Sequence, residues 1–258
     1  MNKKLLQAFK TKINEGPVFG AFSKASDPGI IEVMGRGGFD FVIIDLEHGP
    51  NTIETAQNLI RAAETSGILP LIRVPEDSDE MIGKSLDVGA YGVQVPQITD
   101  PETVNRVLKT ARFYPEGARG LCRYVRAAGY SSMDKNDYFS EANESIIVIQ
   151  LEGKAALDNL DKILEVKGYD IVFIGPYDLS QSLGVPGEIE HPTVISTIRE
   201  IVAACLAKGI AVGTFTDNPR QAAMWMDQGI KYIANAVDMG IFYNAVSELV
   251  SELKSGAK

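Results

Sequence analysis

Eight short apolar or β-branched runs recur along this chain with helix-patterned segments between them, and that alternation restricts the fold more than any other feature of the sequence. The runs are Val18–Phe22, Phe41–Asp45, Leu69–Val74, Gly92–Val95, Ile146–Leu151, Ile171–Ile174, Ala211–Thr214 and Tyr232–Asn235. Helical periodicity follows most of them, over Gly29–Arg36, Thr52–Ser66, Ser78–Val88, Pro101–Phe113, Asn159–Val166, Thr193–Lys208, Pro219–Gln228 and Gly240–Lys254. Short buried runs alternating with crossover helices specify parallel strands. Eight such pairs predict an α/β fold, the (β/α)8 TIM barrel. An open doubly wound sheet is the alternative, but it usually has fewer strands and a glycine-rich phosphate turn after the first one. Here that turn reads AFSKASDPG.

The 258 residues, 45% hydrophobic and 23% charged, suffice for one large core. No repeat, low-complexity tract or linker divides them, which predicts a single domain over residues 1–258. The connection Tyr114–Ser145, rich in glycine and tyrosine, is too long for an ordinary barrel loop and reads as an excursion near an active site. The N-terminus, with Leu5, Leu6, Phe9 and Ile13 among lysines, reads as an amphipathic helix rather than a signal peptide. No apolar run approaches the ~20 residues of a membrane span. Cys122 and Cys205 lack metal or redox spacing, which fits a reducing cytoplasm. A net charge of −9 without a basic cluster argues against nucleic acid and anionic membrane as partners, and favours small-molecule chemistry.

In such barrels the chemistry projects from the C-terminal ends of strands. The second run ends in Asp45, with Glu47 and His48 just beyond it, and a histidine following a buried strand beside carboxylates is a candidate for proton transfer, or else is satisfied by loop hydrogen bonds. His191, before a helix, reads as a surface or cap residue. Arg73 ends the third run, either paired with Asp45 or waiting for a substrate carboxylate or enolate. The fifth run delivers Gln150 and Glu152, and the sixth, DIVFIGPYDLS, delivers Asp178. Two acids converging at one rim repel unless a proton or cation lies between them. With oxygen donors only, the fitting ion is Mg²⁺ or Mn²⁺ rather than a structural Zn²⁺. Alternatively, Asp178 is the N-cap of the next helix. The seventh and eighth run ends, GTFTDNP and ANAVDMG, have no glycine run for a phosphate, so a free keto acid is the expected substrate.

Asp45-Leu46-Glu47-His48-Gly49-Pro50, Arg73, Gln150-Leu151-Glu152 and the stretch from Phe173 through Gly175, Pro176, Tyr177 and Asp178 to Ser180 resemble, in this order, the HpcH/HpaI-type class II pyruvate aldolases. The similarity runs from Gly20 to about Asp238 and takes in Arg119-Gly120. It implies a barrel of the phosphoenolpyruvate/pyruvate type, in which Glu152 and Asp178 hold Mg²⁺, Mn²⁺ or a similar ion such as Co²⁺, chelated by pyruvate. It further implies that His48, oriented by Asp45, is the acid–base and that Arg73 stabilises the enolate. Gln150, Gly175, Pro176, Tyr177 and Asp178 are then substrate-binding, and a 4-hydroxy-2-keto acid is split reversibly into pyruvate and an aldehyde. Relatives of this kind are homo-oligomers, hexamers or trimers, with the C-terminal helix on a neighbour. The stripe Phe242, Val246, Leu249, Val250 and Leu253 suits that role, and suits core packing equally.

Tyr177 stands where relatives carry a small residue, which predicts a narrower pocket. Leu121 to Arg126 and Asn235-Ala236 are candidate aldehyde contacts. No lysine leaves the inner end of a strand run, so a Schiff-base route lacks its nucleophile. Two competing readings are an acyl-CoA lyase of the citrate or malyl-CoA type, which needs a basic groove for CoA, and a barrel that binds acids without catalysis.

Overall fold

The computed structural model describes residues 3–256. The first half of the chain lays down α1 (Lys3–Glu15), β1 (Val18–Ser23), α2 (Pro28–Arg36), β2 (Phe41–Asp45), α3 (Ile53–Ser66), β3 (Leu69–Arg73), α4 (Asp79–Asp87), β4 (Gly92–Val95) and α5 (Pro101–Ala111). After a long connection carrying tight turns over Arg126–Ser131 and α6 (Lys135–Asn143), the second half continues the alternation. It runs β5 (Ile146–Leu151), α7 (Lys154–Asp158), α8 (Leu160–Glu165), β6 (Ile171–Ile174), α9 (Pro176–Ser182), α10 (Pro192–Ala207), β7 (Ala211–Thr216), α11 (Pro219–Met226), β8 (Tyr232–Val237) and α12 (Asp238–Gly256). All eight strands are parallel, and β8 pairs back onto β1 to close the ring. The expected barrel is the observed fold.

Alternation along each strand divides the apolar residues into two layers. Val42, Ile44, Ile72, Val93, Ile147 and Val172 face outward onto the helices. Phe41, Ile43, Leu71, Val148, Phe173 and Tyr232 fill the interior, where Leu6, Phe9 and Ile13 of α1 join them. Phe9 meets Phe41 and Tyr232 edge-on, and those two rings stack at 4.0 Å. Because Phe41 and Tyr232 begin their strands, α1 plugs the N-terminal end of the barrel, and the opposite mouth remains for chemistry. Gly20 makes the stack possible, since a Cβ there would overlap the Phe41 ring.

Caps set the helix starts: Asp27, Thr52, Ser78, Asp100, Asp134 and Asn218 each accept a backbone N–H of the first turn. His191 does the same for α10 through Nδ1, the cap role expected of it. α12 departs from the pattern. Asp238 is its only buried residue, and the stripe Phe242, Val246, Leu249, Val250 and Leu253 is 39–64% exposed, which excludes core packing within this chain.

Candidate active site

Strand register brings the first charged pair together. Asp45 and Arg73 are direct neighbours across β2 and β3, and the guanidinium grips the carboxylate bidentately, Nε to Oδ1 at 2.9 Å and Nη2 to Oδ2 at 2.7 Å. Asp45 is fully buried, and its Oδ1 also accepts the backbone N–H groups of Glu47 and His48. Burial pushes its carboxyl up, but the hydrogen bonds and charge of Arg73 outweigh that and hold it below the usual range. Arg73 reaches Glu47 as well, Nη1 lying 3.0 Å from Oε2, and its Cζ sits 4.6 Å above the Phe22 ring. Of the two readings of Arg73, pairing with Asp45 is present, and the residue still lines the cavity described below.

His48 is placed differently from expectation. Asp45 holds the backbone of His48, while the carboxylate nearest the imidazole is Glu47, 3.9 Å from Nε2. The His48 side chain is 58% exposed at the mouth.

A second polar chain crosses β4 and β5. The Gln94 amide donates to Gln150 Oε1 at 2.6 Å, and the Gln150 amide donates to Glu152 Oε2. The other oxygen of Glu152 accepts the backbone N–H of Gln97 at 2.8 Å. Gln97 adopts a left-handed conformation, φ 55°, a strained backbone of the kind that collects at functional sites. Glu152 is buried, and burial pushes its carboxyl up to about 7 against the two hydrogen bonds, with the negative charges of Asp178 and Glu47 adding to the rise. Asp178 is not a helix N-cap: α9 already begins at Pro176, its N-cap is Gly175, and Asp178 falls in the first turn.

These residues share one cavity of about 340 Å³ at the C-terminal mouth of the barrel. His48, Arg73, Gln150, Gly175, Pro176, Tyr177 and Asp178 line it together with an aromatic wall of Phe22, Phe173 and Phe215. Asp45 and Glu152 stand behind the lining, the former under Arg73 and the latter under Gln150 and Gly175. The Tyr177 hydroxyl donates to the Asp217 carboxylate at 3.0 Å, and burial together with that carboxylate pushes the phenol up to about 12.

The donor set fits a hard divalent cation. Among the described residues, negative charge converges on Glu152 without a positive partner of its own, and all donors are oxygens. Gly175 lacks the Cβ that would overlap the Glu152 carboxylate, which leaves that side of the acid open. Among the described residues no group of three or more His, Cys, Asp or Glu gathers around one point, so a cation here would take at most two such ligands from the protein and the rest from water or substrate. That is the usual way Mg²⁺ is held.

Sequence reasoning passed over several of these groups. Lys24, just past the end of β1, lines the cavity with Nζ 3.8 Å from Asp45 Oδ2, a cation at the mouth that the inner ends of the strand runs did not single out. β1 extends to Ser23, one residue beyond the apolar run, and the next residue turns inward. Even so, it faces the Asp45 carboxylate, which Arg73 also grips, whereas a Schiff-base lysine is desolvated or faces a cation without such a counter-charge. A glutamine within the run GVQV was a visible signal for Gln94. Leu121 to Arg126 do not line this cavity: Arg123 binds the carbonyls of Ser131 and Met133, and Arg126 pairs with Glu64. Asn235 accepts from Thr216, and Arg119 is committed to Asp87 and the Phe113 ring.

Comparison with known proteins shows the family of the chain. A family model described as HpcH/HpaI aldolase/citrate lyase matches residues 18–245. The chain is 34% identical over 253 residues to a hydroxypyruvate/pyruvate aldolase of Roseobacter denitrificans, covering 97% of this chain and 98% of that one. It is also 34% identical over 259 residues to the 2-keto-3-deoxy-L-rhamnonate aldolase of Escherichia coli strain K12, covering 99% and 96%. Among solved structures it is similar to the citrate synthase SbnG, with a TM-score of 0.86, 34% identity and coverage of 96% and 98%. By motif, fold and full-length similarity, the chain belongs to the HpcH/HpaI aldolase/citrate lyase family.

Proposed function

We propose that this protein is a divalent-cation-dependent aldolase that reversibly cleaves a 4-hydroxy-2-keto acid into pyruvate and an aldehyde. The observation that carries the reading is a single cavity lined by His48, Arg73 and Asp178, with the buried, charge-crowded Glu152 behind Gln150 and Gly175 of its wall. The names of the two aldolases at 34% identity support it.

In this reading Glu152 and Asp178 hold the ion, Mg²⁺ or Mn²⁺ with Co²⁺ as a third candidate, and Gln150 and Gln97 keep the Glu152 carboxylate in place. When bound, such an ion supplies Lewis-acid polarisation of a keto oxygen. Arg73, pinned by Asp45, presents its charge to the same oxygen without reorganising, the condition under which electrostatic stabilisation is most effective. His48 takes the proton from the C4 hydroxyl as the C3–C4 bond breaks, and a proton returned to C3 completes pyruvate. Asp45 orients His48 through its backbone N–H, and Glu47, 3.9 Å from Nε2, attracts the imidazolium that forms. Gly175, Pro176 and Tyr177 form the wall beside the keto acid.

Pyruvate release from a panel of 4-hydroxy-2-keto acids, with and without chelator, tests the reading; turnover that survives thorough chelation overturns it. The double variant Glu152→Ala/Asp178→Ala is expected to abolish Mn²⁺ binding, and an unchanged titration removes both acids from that role. The similarity to a citrate synthase favours a second reading, condensation of an acyl-CoA with a keto acid. Incubation with acetyl-CoA and oxaloacetate separates the two, since free CoA appears only under the second. We further propose that the exposed face of α12 seats a second copy, giving a homo-oligomer.

A further inference from the structure

We propose that Lys24 determines acceptor specificity by binding a carboxylate at the far end of the substrate; this deepens the aldolase reading and rests on it for the identity of the bond that is cleaved. Three observations converge on Lys24.

The first is that its backbone is built into place. Asp238 accepts the Ser23 hydroxyl at 2.7 Å, the Lys24 N–H at 3.0 and 3.1 Å and the Ala25 N–H at 2.9 Å, while the Asn51 amide donates to the Lys24 and Ala25 carbonyls. A loop held from both sides aims its side chain reproducibly, as a recognition residue requires.

The second is that the ammonium has binding capacity to spare. Asp45 Oδ2 attracts it from 3.8 Å, beyond hydrogen-bond reach, and Nζ donates no hydrogen bond among the described residues. Arg73, the other cation on the cavity wall, is already occupied by Asp45 and Glu47. A new carboxylate therefore meets unsatisfied donors at Lys24 first.

The third is topological. In the closed order β1 to β8, β1 lies four strands from β5 in either direction, directly across the mouth from the strand that leads to Glu152. A keto acid whose reacting end lies on the β5 and β6 side extends toward β1. Its far end arrives at Lys24, past the Phe22, Phe173 and Phe215 rings. An aldehyde bearing a carboxylate satisfies the ammonium there, whereas a neutral aldehyde of equal length leaves it unmatched.

The test pairs ligands that differ only in that group. Calorimetry in the presence of Mg²⁺ compares 2-oxoglutarate with 2-oxopentanoate, and condensation assays with pyruvate compare glyoxylate with glycolaldehyde and 4-oxobutanoate with butanal. The wild type is expected to favour the carboxylated member of each pair about tenfold or more, as charge-assisted hydrogen bonds do. Lys24→Met is expected to bring each ratio to within about twofold, acting on Kd and KM rather than kcat, and Lys24→Arg is expected to restore it. A ratio near one in the wild type overturns the proposal. So does a Lys24→Met variant that weakens both members equally, because Lys24 would then only be neutralising Asp45. If the binding ratios behave as expected while no aldehyde condenses with pyruvate, the Lys24 assignment stands and the aldolase reading falls. If condensation proceeds without discrimination, the reverse holds.

Discussion

His48 and Glu152 carry the sharpest consequences at the level of single residues. The imidazole is exposed at the mouth, with Glu47 rather than Asp45 as the nearest carboxylate. His48→Ala is expected to lower kcat by about 100-fold or more in the pyruvate-release assay, the usual loss when a general acid–base is removed. Near wild-type turnover would take His48 out of that role. Glu152 makes stability depend on pH. Its carboxyl keeps a proton in the fold up to about 7, whereas the unfolded chain releases it near 4.5, so the folded state binds the extra proton between those values. Cation-free protein therefore loses stability as pH rises through that window, by on the order of 3 kcal/mol. Asp45 works in the opposite sense: its depressed carboxyl contributes stability that is lost on acidification. Thermal melts from pH 5 to 8 are expected to show cation-free wild type declining relative to Glu152→Gln, with Mg²⁺ recovering the wild type at pH 8. Parallel curves for the two proteins would mean that Glu152 does not carry the excess charge.

Among the elements, the junction of β1, β8 and α12 depends on one carboxylate. Asp238 serves Ser23, Lys24 and Ala25 and also accepts the Met239 N–H at the start of α12. Asp238→Ala leaves several partly buried donors without a partner, and is expected to cost about 2–4 kcal/mol in urea denaturation. A loss below about 0.5 kcal/mol would show that water replaces it. The sequence was informative wherever an element obeys one local rule. Phe41–Asp45, Gly92–Val95, Ile146–Leu151 and Ile171–Ile174 are continuous buried runs, and their ends are where the runs predict. It was less informative where tertiary contacts decide. β8 runs on to Val237, closing against β1 across an irregular register, and α9 starts at Pro176 without a side-chain cap to announce it. In the site, polar residues at strand ends were legible, because an acid or arginine ending an apolar run is conspicuous. The partnerships were not: Arg73 meets Asp45 through register, Glu47 lies near the imidazole through the shape of a loop, and Lys24 points inward because a carboxylate more than 200 residues away fixes its backbone.

For the molecule as a whole, the C-terminal helix is the feature left over after the barrel is complete. Phe242, Leu249 and Leu253 stay largely exposed, and beside α12 lies an apolar groove of about 490 Å³ lined by Phe19, Ile30, Val33, Met34, Phe39 and Phe242. This is the surface on which the proposed second copy would sit. Sedimentation is expected to give a trimer or hexamer, and Leu249→Asp with Leu253→Asp to shift it toward single chains; a wild type that sediments as one chain removes α12 from that role. The long excursion between β4 and β5 has a different implication. Lys24, Asp45, His48 and Arg73 all precede it, and Gln150, Glu152 and Asp178 all follow it. A protease nick inside the excursion would therefore divide the proposed cationic and proton-handling groups from the proposed acid pair. Any turnover left to a nicked preparation would then measure how tightly two half-barrels clasp each other without a covalent tether.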